Sequence, residues 1–142
     1  MKSALYILPA LILAAPAAAQ SQADIDGVSA AVMAYVEAGD TGAPERAFEA
    51  FETGTGTMFV RRPGDEETPD HVTTMALADL AARYTRASGD RGAIIRDIRI
   101  VEGVMAFAHV SMAWDDRELD DMFLLYKLED EWKIVAKTVV FH

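Results

Sequence analysis

Apolar residues at Ile25, Val28, Val32, Tyr35 and Val36 recur every three or four positions, the spacing of one helical face, and Gly39 supplies a stop. Pro44 suits the first turn of a second helix, in which Ala47, Phe48 and Phe51 follow at helical intervals, so the two form a helical hairpin. Residues 54–62, rich in Thr, Phe and Val, predict a short strand ended by the loop 63–70. Thr73 or Thr74 can cap a third helix, whose stripe is Met75, Leu77, Leu80, Ala81 and Tyr84 and whose close is Ser88-Gly89-Asp90. From Gly92 the period drops to two. Ile94, Arg96, Ile98 and Ile100 alternate, Glu102-Gly103 turns into a strand over Met105–Trp114, and the acidic segment 115–119 separates it from 121–128. A last turn at 129–131 leads into 132–141. Three helices followed by a four-stranded antiparallel meander, with one short strand between the helices, predict an α+β fold with the helices on one face of a curved, mainly antiparallel sheet. The expected unit is a single domain over residues 20–142, with no linker to divide it.

Composition changes this picture in two places. Lys2 is the single charge in the first 19 residues, which run through apolar positions 4–15, broken only by Pro9, to Ala17-Ala18-Ala19. This is the pattern of a cleaved export signal, too short and too interrupted to span a bilayer, so residues 1–19 are expected to be removed and the remainder released outside the cytoplasm, in a bacterial periplasm. Removal leaves 12 basic and 23 acidic residues and moves the net charge from −10 to −11. Such a balance excludes nucleic acid and anionic membrane surfaces as partners. With no cysteine, disulfides, thiolate catalysis and thiolate metal sites are also absent.

Residues 121–137, DMFLLYKLEDEWKIVAK, resemble the closing hairpin of NTF2-like proteins, in particular their lumazine-binding, SnoaL-like branch. Tyr35-Val36-Glu37-Ala38-Gly39-Asp40, followed by Ala50-Phe51, is similar to that branch's helix, Gly-Asp turn and second helix. The resemblance spans residues 24–142 and implies a cone in which helices close over a curved sheet, often dimerising through it. Its members include isomerases, dehydratases, cyclases, carriers and transport proteins, so the fold alone decides little. Glu52 stands where many relatives carry His, and Ala136 where Asn often precedes the Lys. Matching ketosteroid isomerase places Val32, Arg62 and Leu124 at its three catalytic positions, which argues against that reaction.

Three readings follow. The first is a binding protein for a small hydrophobic or heteroaromatic molecule, with Tyr35, Phe51, Phe59, Tyr84 and Phe123 lining the cone and no cofactor or metal. A structure whose cone is filled and dry would overturn it. The second is an isomerase, dehydratase or hydrolase using His109 with Asp97 or Glu52. The third is a homodimeric interaction module. His109 shares one face of its strand with Met105, Phe107 and Ser111, whereas Val104, Ala108, Val110, Met112 and Trp114 make the other, more apolar face, which is favoured as the inner one. Strict alternation in the last strand sets Trp132, Ile134, Ala136, Thr138 and Val140 against Lys133, Val135, Lys137, Val139 and Phe141. Lys137 then either meets an anionic ligand or sits at an edge or dimer surface, and Trp132 plugs the hairpin turn. The acidic group Asp115, Asp116, Glu118, Asp120 and Asp121 reads as a solvated hairpin tip rather than a calcium loop. Arg61-Arg62 and His71 read as surface groups or as an anion contact at the cone mouth.

Overall fold

The computed structural model describes residues 21–142; the expected leader at residues 1–19 lies outside them. In chain order the elements are α1 (Gln22–Thr41), α2 (Pro44–Ala50), β1 (Thr57–Arg62), β2 (His71–Ala76), α3 (Leu77–Ala81), β3 (Ile94–Val101), β4 (Met105–Trp114), β5 (Arg117–Leu128) and β6 (Glu131–Phe141). All six strands join one sheet in the order β2-β1-β6-β5-β4-β3, antiparallel except for the parallel pair β1 and β6.

Ser21 caps α1, its hydroxyl oxygen accepting the Asp24 N–H at 3.1 Å. The helix continues past Gly39, the expected stop, and ends where Gly42 adopts φ 71° and donates its N–H to the Ala38 carbonyl. Its buried face carries the predicted residues Val28, Val32, Tyr35 and Val36. In α2, Pro44 occupies the first turn and Ala47 is buried, while Phe48 faces solvent. The third helix is a correction. Residues 72–75 extend instead of coiling, because β-branched Thr73 and Thr74 pair with Val60 and Phe59 of β1, and only Leu77–Ala81 turns helical. The sheet therefore gains an edge strand.

The inner face of the sheet buries Met58 and Val60 of β1, Ala106 to Met112 of β4 at every second position, and Leu119, Phe123 and Leu125 of β5 beneath the helices. Two bulges bend the sheet and break the alternation. In β3 the register slips between Ile95 and Asp97, so Ile94 faces outward while Ile98 and Ile100 pack inward. In β6, Leu124 pairs with Ala136 and Leu125 with Ile134, leaving Val135 as the extra residue. Trp132 and Ile134 point inward before the bulge, and Lys137 and Val139 after it. Lys137 is thus an inner residue, and strict alternation is corrected there.

Trp132, the second residue of β6 and 6% exposed, ties the β5–β6 hairpin to the start of α1. Its indole N–H donates to Asp24 Oδ1 at 3.3 Å, and the Lys127 ammonium donates to the same oxygen at 3.0 Å.

Candidate functional site: a buried polar cluster among aromatic rings

α1 brings Tyr35, β5 brings Asp121 and Phe123, and β6 brings Lys137 to one point between helix and sheet. Asp121 is 0% exposed, Tyr35 3% and Lys137 4%. The Tyr35 hydroxyl donates to Asp121 Oδ2 at 2.8 Å, and the Lys137 ammonium donates to Oδ1 at 2.5 Å. Rings surround this trio: the Tyr35 centroid lies 5.3 Å from Phe123, 5.7 Å from Phe51 and 6.0 Å from Tyr84. Lys137 Nζ stands 5.4 Å from the Tyr35 ring centre and 5.9 Å from that of Phe123, within cation–π range. Among the described residues no buried side-chain nitrogen or oxygen lacks a partner.

Burial dominates the electrostatics. Loss of water pushes the Lys137 ammonium below its ordinary value, opposed by the Asp121 charge. Burial, and then the same carboxylate, push the Tyr35 phenol well above its ordinary value. A raised phenol adds stability that is complete below the unfolded value of about 10 and is lost as pH climbs beyond it. Lys137, shifted downward, acts in the opposite sense and at lower pH, its stability contribution rising only up to the unfolded value of about 10.5, so Tyr35→Phe isolates the phenol above that. We expect urea titrations above about pH 10.5 to show a shallower alkaline loss of stability for Tyr35→Phe than for the wild type.

Of the five predicted ligand contacts, Tyr35, Phe51, Tyr84 and Phe123 converge here. Phe59 does not: its neighbours Met58 and Val60 point inward, which leaves Phe59 exposed on the outer face of the sheet. The rings are also closed on one another rather than lining an open cone. The largest of the described surface clefts, about 740 Å³ and lined by Phe51, Glu52 and Lys127 among others, lies beside the β5–β6 hairpin.

The catalytic candidates lie away from this point. His109 faces outward, its Nε2 2.8 Å from Asp120 Oδ1, an oxygen that also accepts the Ser111 hydroxyl at 2.6 Å. Asp97 sits opposite His109 in register, yet its hydrogen bond is from Arg99. Glu52 folds onto its own turn, accepting the N–H groups of Gly54 and Thr55, both at 2.8 Å. Arg61 pairs with Asp70, and Arg62 reaches Thr73. His71 is exposed, its Nδ1 3.2 Å from the Pro69 carbonyl. Val32 is buried in α1 and Leu124 is exposed on the outer sheet face. Asp121 is no part of a solvated tip, which corrects that expectation. A signal for it exists in the sequence: it alternates with Leu119, Phe123 and Leu125 on one side of a strand.

A long helix and two short ones laid over a bent six-stranded sheet, with the interior between them, define an NTF2-like α+β protein. The chain belongs to the family described as "Putative lumazine-binding", whose model matches residues 23–142. It is similar to an NTF2-like protein of unknown function from Shewanella baltica OS155, at 24% identity and TM-score 0.68 over 84% of this chain and 94% of that one. A second such protein, from Silicibacter pomeroyi DSS-3, shares 22% identity with TM-score 0.67 over 83% and 95%. A third, from Methylobacillus flagellatus KT, shares 28% identity with TM-score 0.66 over 86% and 94%. No curated protein matches the chain.

Proposed function

We propose that the protein binds a small, flat heteroaromatic molecule at the Tyr35–Asp121–Lys137 cluster. The observation that carries this reading is a carboxylate, an ammonium and a phenol, all buried and satisfied by one another, inside a shell of rings. Desolvating such an ion pair is expensive, and apolar side chains of similar volume would serve stability as well or better. A ring carrying an N–H beside a carbonyl can exchange into the pair without losing a hydrogen bond, its N–H donating to Asp121 and its carbonyl accepting from Lys137. Stacking on the surrounding aromatic rings supplies the apolar contact. Lumazine, a pteridine dione, has this edge, and the family's description names the same ligand class. The rings fill the interior as it stands, so no cone is open in advance and one ring has to move aside first: Tyr84 lies on the irregular segment after α3, whereas Phe51, just past α2, is held by a bridge to Ile134.

Titration of the protein into lumazine, followed by lumazine fluorescence, tests the reading. Saturable one-to-one binding is expected; no saturation at about 1 mM, an affinity worth only some 4 kcal/mol, would reject it. In the same reading the chain is exported to a periplasm after loss of residues 1–19, and intact mass of the protein recovered from that compartment should show Gln20 as the first residue.

A specific observation favours a second reading, that two copies pair through the outer sheet face. Phe59, Met122, Leu124, Tyr126 and Val140 are all exposed there, each at 42% or more. Leu124→Asp should convert a dimer to a monomer in sedimentation equilibrium, and a wild type that is already monomeric contradicts this reading.

A further inference from the structure

Taking the interior as a binding site, we infer that residues 82–93 are its lid and that Arg91 is the latch. The segment joins α3 to β3 without regular secondary structure and is largely exposed, apart from Tyr84 and Arg91, which turn inward, and the small Ala93 next to β3. Tyr84 lies edge-on to Tyr35, at an interplanar angle of 73°. Arg91, 5% exposed, donates from Nε to Asp40 Oδ1 and from Nη2 to the Val36 carbonyl, both at 2.5 Å. Its guanidinium carbon lies 5.7 Å from the centre of the Tyr35 ring.

The other fastenings converge on the same helix end. Ser88 and Gly89 donate their N–H groups to the carbonyls of Gly39 at 2.9 Å and Asp40 at 3.1 Å. Carbonyls in the last turn of a helix lack intrahelical partners, so those of Gly39 and Asp40 are ready acceptors for the N–H groups of the strap. Gly39 is what lets the guanidinium in: a Cβ there would lie 2.3 Å from Nη2. On the far side, the Arg91 carbonyl accepts the Ala113 N–H at 2.8 Å. Polar contacts therefore fasten the strap along Ser88–Arg91, and its apolar burial is confined to Tyr84 and Ala93, with the rest of the segment exposed. Such segments open locally at lower free energy than the core. Lifting it removes Tyr84 and Arg91 from Tyr35 and leaves Asp121, Lys137 and the sheet in place. Arg91 acts through the segment it fastens and is a positioning residue.

The cysteine-free chain allows a direct test with one introduced thiol. Val110 is fully buried on the inner face of β4, opposite Asp121 in register. Val110→Cys should react slowly with dithionitrobenzoate, and adding Arg91→Ala should speed labelling about tenfold or more, at a rate nearly insensitive to low urea. Ile134→Val on β6, adjusted with urea to equal global stability, is the control and should give no such gain. Should Arg91→Ala fail to fold, Asp40→Asn removes the charge from the latch and should speed labelling severalfold. Equal rates in lid and control variants, or labelling that tracks global unfolding in both, overturn the lid. Faster labelling with no protection by added lumazine keeps the lid and rejects that ligand. Saturable lumazine binding with unaccelerated labelling does the reverse.

Discussion

Lys137→Met should lower the stability of this protein by about 3–5 kcal/mol, since it strands the Asp121 carboxylate in the core with only the Tyr35 hydroxyl for a partner. The instructive comparison is the double variant Asp121→Leu with Lys137→Met. Both charges then leave together, two apolar side chains fill the space, and the desolvation penalty disappears with them. Against that gain, the buried Tyr35 hydroxyl loses its acceptor at a cost of about 1–3 kcal/mol, so urea denaturation should place the double variant well above the single one and near wild-type stability. A double variant as unstable as the single one would mean that the ion pair is what holds this part of the fold together.

Phe123→Ala is the second large effect. Phe123 is 1% exposed and touches the interior from the centre of β5, so its loss should cost about 3–5 kcal/mol, the transfer term plus a cavity that the flanking strands cannot close. Phe59→Ala, the same chemical change on the half-exposed outer face, should cost the monomer no more than about 1 kcal/mol, since it opens no closed cavity. Thermal melts of the pair would show which face of the sheet is the core. Similar losses for both would contradict the assignment.

The apolar period of α1 and the change to alternation after Gly92 are local properties, and they carry the fold class and most of the element order. The stretch from Val72 to Met75 was harder, because Thr-Thr before an apolar residue reads equally as a helix cap or an edge strand. Pairing with β1 decides it, and β1 is itself held by a parallel contact with the far end of the chain. The direction of Lys137 depends on one extra residue, Val135, whose bulge is set by the register between β5 and β6 rather than by any local preference. Asp121 was legible in principle, as an acid at an apolar position, but its acidic neighbours at 115–120 made the whole run read as solvated. Arg91 carried no local signal at all. Its carboxylate partner, Asp40, is 51 residues away, and the space it occupies exists because Gly39 has no side chain. His109, in contrast, faces outward, on the side its more apolar neighbours left for it.

The most direct test of the interior as a ligand site is calorimetric titration of lumazine into the wild type and into the stable Asp121→Leu, Lys137→Met double variant. Heat of one-to-one binding in the wild type and none in the double variant is the predicted result. Equal binding by both would place the ligand elsewhere, and no binding by either would contradict the account.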